Sequence, residues 1–430
     1  MATIIRGPYL QMATSTTNLI RWYTNVATDT KVWWGTSLQF TNTFVSSTSV
    51  TNHEARISGL QPNTKYFYGV GSTSQCISSG STNYFYTAPA SSSSAHTRVW
   101  VTADFGWNSA NQKGVKDKFI TYNSTALPNN RVDLFFMVGD NAYGGGSNTD
   151  YDNDLFLGAN AYGTELKKFN SFLVPGNHDY NNVGYNSGSA TGLSWPIFER
   201  FNQPANSECG GVVSRIEKYF SVNWGNAHFI VLDGYGTPSG PTSAMYKWLE
   251  NDLKFNRKKW TVVFQHFSPF SHGTHNSDTD TEMVNMRLNI VPLLYRYNVD
   301  LMIGGHSHVY ERSYFMKNFT GTAAAWNSTY ISQSGLGNNT GGNLPYDKSL
   351  SQSGTTFIVI GNGGQPGTGS VSTSGTWPHS AMITYNKATF ASLIIDVNTD
   401  ITATLSNGNY MSVKALGISG SLLDRFLIKK

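Results

Sequence analysis

Five short clusters in this chain carry side chains that bind metals: Asp104-Phe105-Gly106, Gly139-Asp140-Asn141-Ala142-Tyr143, Gly176-Asn177-His178-Asp179, Val263-Phe264-Gln265-His266 and Gly305-His306-Ser307-His308. Asp104 and Asp140 are hard oxygen donors, Tyr143 offers a phenolate, Asn177 a neutral amide oxygen, and His266, His306 and His308 imidazole nitrogens. Mixed oxygen and nitrogen ligation without thiolate suits iron, zinc or manganese and excludes an iron–sulfur cluster or a cysteine-type zinc site. Seven donors exceed what one tetrahedral ion takes; they suit two ions, the more so if one carboxylate bridges. Singly, each residue has a plainer reading: Asp104 as a turn cap, Tyr143 as a packed aromatic, His266 as a satisfied core histidine. The set argues otherwise, because every cluster closes a short apolar run.

Those runs read as strands that place the clusters at one sheet edge. Arg98 to Ala103, Val132 to Val138, Phe172 to Val174, His228 to Leu232, Thr261 to Phe264 and Leu301 to Ile303 are apolar and too short for helices. Along a strand, alternate residues share a face, so His306 and His308 can point together while Ser307 points away. The glycines beside the ligands allow close approach and unusual dihedrals. Between the strands, Ser243 to Phe255 has helical spacing, and so does Glu282 to Tyr297, where Pro292 should kink the helix. Alternating strands and helices predict an α/β domain from residue 97. After about Ala325 only strands are expected: Thr355 to Ile360, Met382 to Tyr385, Leu393 to Val397, Ile401 to Leu405 and Leu422 to Ile428.

Residues 1–90 read as all-β, with short aromatic-rich runs between turn signals. The small, polar stretch Ala88 to His96 has one proline and cannot build a core, which sets a linker at 91–96 and a second domain at 97–430. Charged residues make up only 13% of the 430, against about 25% in an average chain. A net charge of +4 with no long basic run argues against nucleic-acid binding. No stretch is long and apolar enough to span a membrane. Met1 to Tyr9 lacks the apolar core of a signal peptide, yet low charge and abundant Ser, Thr and Asn favour an exported protein: secreted, periplasmic or at the cell surface. In such a protein the even count of cysteines, Cys76 and Cys209, invites one disulfide, which would pin the first domain to the second.

In this order, Asp-x-Gly, Gly-Asp-x-x-Tyr, Gly-Asn-His-Asp, Val-x-x-His and Gly-His-x-His resemble the purple acid phosphatases of the dinuclear metallophosphoesterase superfamily. The tyrosine of Gly-Asp-x-x-Tyr separates that family from relatives lacking the phenolate. Asp104, Asp140 and Asn177 follow one another at 36 and 37 residues, about one βαβ step each. Leu60-Gln61-Pro62-Asn63-Thr64-Lys65-Tyr66-Phe67-Tyr68 resembles the corner of a fibronectin type III sandwich, whose tyrosine bonds back to the backbone. The resemblance implies an all-β N-terminal sandwich followed by an α/β catalytic domain, a metallophosphoesterase four-layer α/β/β/α sandwich. It implies that Asp104, Tyr143 and His308 hold Fe(III), that Asn177, His266 and His306 hold a divalent ion (Fe, Zn or Mn), and that Asp140 bridges them. It further implies acid phosphatase activity on small phosphorylated substrates, in which a metal-bound hydroxide attacks phosphorus.

His178 and His275 are the histidines the resemblance assigns to substrate binding and to protonating the leaving group. Open alternatives are His178 merely bonded to Asp179, and His272 acting in place of His275. A phosphodiesterase or nucleotide pyrophosphatase could use the same scaffold, and a non-catalytic surface protein is the reading outside the enzymes. Asn108, Asn141 and Tyr310 could line the pocket, and loops Gly144 to Asn153 and Tyr180 to Trp195 would set substrate choice. An Arg–carboxylate bond at Glu311-Arg312 and the turn Gly361-Asn362-Gly363-Gly364 should stiffen the site from behind. His53, His96, His228 and His379 fall outside the motifs and are expected to be structural.

Overall fold

The computed structural model describes residues 1–125, 130–184, 192, 194–349, 353–365, 376–402 and 408–430. Its N-terminal part is a β-sandwich of six strands: Ile4–Gln11, Asn18–Gly35, Asn42–Ile57, Lys65–Gly71, Cys76–Ser78 and Tyr84–Tyr86. The long strand Asn18–Gly35 pairs Asn42–Ile57 along most of its length. Its first half also pairs Ile4–Gln11 and its second half Lys65–Gly71, with the register broken between Tyr23 and Thr28. That break lets one strand serve both faces around a core of Leu10, Ile20, Trp22, Val32, Tyr68 and Phe85. The expected corner is present: the Gln61 N–H donates to Tyr66 Oη at 3.0 Å.

Two seven-stranded sheets follow. The first runs Tyr346–Asp347, Leu422–Lys429, Tyr410–Gly417, Ala391–Thr399, Thr97–Thr102, Leu134–Val138, Asn170–Val174. In the second the order is Phe220–Trp224, Ala227–Val231, Trp260–Phe267, Leu301–Gly305, Thr356–Ile360, Tyr310–Ser313, Met382–Asn386. Their facing sides bury Val99, Val101, Phe136, Phe172, Phe229, Phe264, Ile303 and Ile395. Outer faces are covered by helix Ala110–Thr125 on the first sheet and by helices Ala244–Phe255 and Thr281–Arg296 on the second, giving the four layers expected. Strands buried on both faces explain why the sequence shows unbroken apolar runs there rather than alternation.

The helix expected over 282–297 is present with a wide turn instead of a sharp kink. Residues Met286–Ile290 adopt π geometry between α segments Thr281–Asn285 and Val291–Arg296. Pro292 cannot donate a backbone hydrogen bond, and the widened turn ahead of it absorbs that loss. Of the strand expected at 401–405, residues 401–402 form a turn and 403–405 lie outside the described residues; a strand follows at Tyr410–Gly417.

The disulfide is also corrected. Cys76 is a free, exposed thiol on a sandwich strand, and Cys209 is free and buried. The sandwich is held to the sheets by polar contacts instead: Arg6 Nε to Asp152 Oδ1 at 2.5 Å, Tyr9 Oη to the Arg200 carbonyl at 2.6 Å, and Tyr68 Oη to the Lys167 carbonyl at 2.9 Å.

Candidate metal centre

The parallel strands of both sheets end on one side, and the seven sequence-predicted ligands meet there. The first sheet delivers Asp104 after Thr97–Thr102, Asp140 and Tyr143 after Leu134–Val138, and Asn177 after Asn170–Val174. His266, at the end of Trp260–Phe267, and His306 and His308, just past Leu301–Gly305, come from the second. One sheet supplies the oxygen donors and the other the imidazoles, so the site exists only where the two edges converge.

Three of these residues sit in left-handed backbone: Asp104 at φ +53°, Asp140 at +52° and His306 at +67°. Such conformations cost about 1–3 kcal/mol each in a non-glycine residue and persist where the surroundings impose them, which is common at functional sites. Glycine is required beside them. A Cβ on Gly139 (φ +88°) would lie 2.2 Å from His266 Nδ1, and one on Gly305 2.2 Å from Asp104 Oδ2.

Tyr143 Oη donates to Asp104 Oδ1 at 3.2 Å and lies 3.2 Å from His308 Nε2, which is 3.4 Å from Asp104 Oδ1. His266 Nε2 lies 3.4 Å from Asp140 Oδ1 and 3.9 Å from Asp104 Oδ1. Ligand atoms of Asp104, Asp140 and His266 all fall within 4.8 Å of one another, and all three residues are buried. Burial and the Asp104 and Asp140 charges push the Tyr143 phenol well above its ordinary range. Burial alone would raise the Asp140 carboxyl, but His266 and His178 hold it well below. His266, disfavoured as a cation by burial, is drawn up to about 9 by Asp140 and Asp104. Burial, then His275 and His266, pushes His306 well down.

Whether metal fits here is decided by the polar atoms left over. Asn177 Oδ1 and His266 Nε2 are buried and make no hydrogen bond. Nδ1 of His266 donates to the Val138 carbonyl at 3.0 Å, which leaves Nε2 as the nitrogen with a free lone pair. Two lone-pair donors buried among two carboxylates and a phenol want cations, and the residues present fit a dinuclear site.

Of the two histidines expected to meet substrate, His178 packs at a tilt against Tyr143, with ring centroids 4.4 Å apart, and its Nε2 is 4.0 Å from Asp140 Oδ2. Asp179 is not its partner. That carboxylate turns inward to accept from Gly176 N, Asn141 Nδ2 and Tyr151 Oη, and burial beside Asp140 raises it to about 7. His275 stacks on His306 at 3.7 Å, with Nδ1 3.0 Å from Asp280 Oδ2. His272 lies apart, bonded to Asp278 and the Thr376 carbonyl.

Asn141 and Tyr310 do not line the pocket: Asn141 donates to the Val174 carbonyl and Tyr310 to Asp424. Asn108 bonds Asn153 and Asn160. Arg312 pairs with Asp424, 112 residues away, rather than with a local acid. The glycine turn does brace the site, with Gly363 N–H donating to the Ala103 carbonyl and Gln365 N–H to that of Asp104. His53, His96, His228 and His379 are buried or paired within the fold, as expected. Residues 185–191 and 193 of the second specificity loop lie outside the described residues. The sequence did not reveal Asp280 or Asn182, the partners of His275 and of Asn177 and His178. Only the pair Asn181-Asn182, a left-handed turn signal, pointed at the latter.

Residues 97–310 match the family model for calcineurin-like phosphoesterases and residues 6–96 that for the purple acid phosphatase N-terminal domain. With these two abutting, the chain belongs to the purple acid phosphatase family of the metallophosphoesterases. "Purple acid phosphatase 23" of Arabidopsis thaliana is 30% identical over 64% of this chain and 60% of its own. "Fe(3+)-Zn(2+) purple acid phosphatase 12" of the same plant is 25% identical over 64% of this chain and 55% of its own. The structure of purple acid phosphatase PPD1 from yellow lupin seeds superposes with a TM-score of 0.69 over 98% of this chain and 74% of that one, at 17% identity, and so shares the fold. The chain spans between half and two thirds of the length of the curated relatives it matches.

Proposed function

We propose that this chain hydrolyses phosphate monoesters at a dinuclear centre holding Fe(III) and one divalent ion, Fe, Zn or Mn. The observation that carries the reading is the meeting of seven oxygen and nitrogen donors at two converging sheet edges, with Asn177 Oδ1 and His266 Nε2 buried and unbonded. Asp104, Tyr143 and His308 would hold one ion, since their donor atoms lie 3.2–3.4 Å apart. Asn177, His266 and His306 would hold the other, and Asp140, between His266 and His178, would bridge. Zinc as the divalent ion has support from the relative whose name carries Fe(3+)-Zn(2+).

When bound, a pair of cations supplies Lewis-acid neutralisation of the phosphate and an acidified solvent nucleophile. The chain's own residues do the rest. His178 and His275 flank the ligands, His178 against Tyr143 and His275 against His306, where an imidazole can hold a phosphate oxygen or protonate a departing alkoxide. Asp280 accepts from His275 Nδ1–H and orients its ring. Ser271 Oγ donates to Ser307 Oγ at 2.8 Å and ties the His275 loop to the turn carrying His306 and His308.

We assign residues 1–90 to a fibronectin type III-like sandwich, 91–96 to a linker and 97–430 to the catalytic domain. The Tyr66 corner supports the first assignment. Among the described residues no helix is long and apolar enough to cross a membrane. Low charge supports an exported protein acting on small phosphorylated molecules.

Metal analysis with the visible spectrum, and turnover on a monoester and a diester, test the reading together. Two ions per chain, a phenolate-to-iron band lost in Tyr143→Phe, and preference for the monoester are expected. A chain that binds no metal, or that favours the diester, would overturn it.

A further inference from the structure

We propose that Asn182 is a positioning residue that fixes the tautomer of His178, so that the neutral imidazole presents Nε2–H at the metal centre. The inference deepens the phosphomonoester reading and rests on it for its catalytic consequence. Its structural part is hydrogen-bond direction alone.

The chain of reasoning starts at Asn177. Its Oδ1 is buried without a hydrogen-bond partner, a bare acceptor of the kind a cation satisfies. An amide has an acceptor end and a donor end. With Oδ1 turned into the site, Nδ2 points away, and it donates to Asn182 Oδ1 at 2.7 Å. That bond orients the second amide. The end of Asn182 left over is Nδ2, which lies 3.2 Å from His178 Nδ1. An amide nitrogen cannot accept, so Nδ1 must. A neutral imidazole carries one proton, and it therefore sits on Nε2. Nε2 is the nitrogen on the Asp140 side, 4.0 Å from Oδ2.

The backbone delivers Asn182 to this spot. Asn181 and Asn182 are both left-handed, at φ +53° and +52°. The Asn181 N–H donates to the His178 carbonyl and that of Asn182 to the Asn177 carbonyl, each at 3.0 Å. Asparagine tolerates this conformation better than other side chains, and the doubled turn throws the Asn182 amide back over the start of the motif.

His275 is arranged the other way. Its Nδ1 faces the Asp280 carboxylate at 3.0 Å, which can only accept, so the proton sits on Nδ1 and Nε2 is bare in the neutral ring. His178 donates a hydrogen bond to an anionic phosphate oxygen while neutral. His275 donates from Nε2 only as an imidazolium. The two histidines are thus not interchangeable, and the difference is written in the groups behind them.

Two-bond 1H–15N correlation spectra of the full chain, labelled with 15N-histidine, freed of metal and held at alkaline pH, read both tautomers directly. His178→Gln and His275→Gln assign the signals. The expected result is an Nε2–H form for His178 and an Nδ1–H form for His275 in one spectrum. Asn182→Asp, which replaces the donor by an acceptor, should convert His178 to Nδ1–H. Asn182→Gly keeps the left-handed turn, removes the amide and should give a mixture. On the metal-loaded chain, Asn182→Asp should lower kcat/KM for a phosphate monoester about 10- to 100-fold, the value of one hydrogen bond to a charged group. Nδ1–H at His178 in the parent chain, or a tautomer unmoved by Asn182→Asp, would overturn the proposal. The expected tautomers in a loaded chain that hydrolyses no phosphoester would sink the functional reading and leave the role of Asn182 intact.

Discussion

Two histidine–aspartate clusters of similar composition lie near each other and behave as opposites. In one, Asp104, Asp140 and His266 bring their ligand atoms within 4.8 Å; in the other, His272, Asp278 and His379 do the same. Proximity alone would nominate both as metal sites. The second also leaves atoms without a hydrogen bond, Asp278 Oδ1 and His379 Nε2, but a proton and a fixed cation stand where an ion would have to go. His379 Nδ1 accepts from the Ala381 N–H at 3.1 Å, so in the neutral ring Nε2 carries the proton and cannot coordinate. Asp278 Oδ2 accepts from Ala323 N, and the Arg287 guanidinium stands 3.5 Å from Oδ1, where it repels a cation. His379, Ala323 and His272 hold the Asp278 carboxyl well below its usual range against the opposing effect of burial. The first cluster contains no cation of its own, sits on left-handed turns and leaves Nε2 of His266 and Oδ1 of Asn177 unbonded. The two clusters differ by the guanidinium and the proton placement around them, not by residue type or by the presence of unbonded atoms.

The sharpest way to break this comparison is to remove one acid from each cluster. Asp140→Asn should abolish binding of at least one ion and cost activity by well over the roughly 10–100-fold seen when a group behind a ligand is altered. Metal stoichiometry and turnover measure it, and a variant holding two ions at parental turnover would remove Asp140 from the bridge. His275→Ala comes next. It should reduce kcat/KM on an alkyl phosphate by about 10²–10⁴-fold and much less on an activated aryl phosphate, because only a poor leaving group needs the proton. Equal losses would make His275 a phosphate binder.

Asp278→Ala should do the reverse of Asp140→Asn: it should cost about 3 kcal/mol in denaturant unfolding, by stranding Arg287 and His272, with metal content unchanged. Loss of an ion instead would promote the second cluster to a metal site.

A smaller effect is expected beside it, at Glu311. This side chain is buried against Ser271, His272 and the His379 N–H, and burial raises its carboxyl to about 7. The unfolded chain releases that proton near 4.5, so between 4.5 and 7 the unfolded state holds fewer protons and stability falls as pH rises, then levels off. Glu311→Gln, an uncharged isostere, should remove up to about 3 kcal/mol of that slope. Unfolding titrations at several pH values check it, and parallel curves for the two proteins would contradict it. Last, only Cys76 should react with a thiol reagent in the native chain. Burial both shields Cys209 and pushes its thiol up, so Cys209 should react only after unfolding.

The sequence by itself determined the candidate ligand set and the fold class. Each ligand closes an apolar run, and a strand buried on both faces must be apolar throughout, so the ends are marked by where polarity returns. Residue type then speaks for itself, because a carboxylate, phenol, amide and imidazole at such ends have few structural uses in common. The helix over 244–255 was legible for the same local reason, its apolar spacing capped by Ser243. Tertiary structure decided everything that depends on which side chain stands behind another. Arg312 finds Asp424 across 112 residues, the cysteines do not meet, and Asp280 rather than a nearer acid takes His275. The same is true of the two amides that orient His178. Local sequence carries periodicity and residue type, whereas the direction of a hydrogen bond is set by loops whose path only the packed sheets define, and so the candidate ligands were readable while the protons were not.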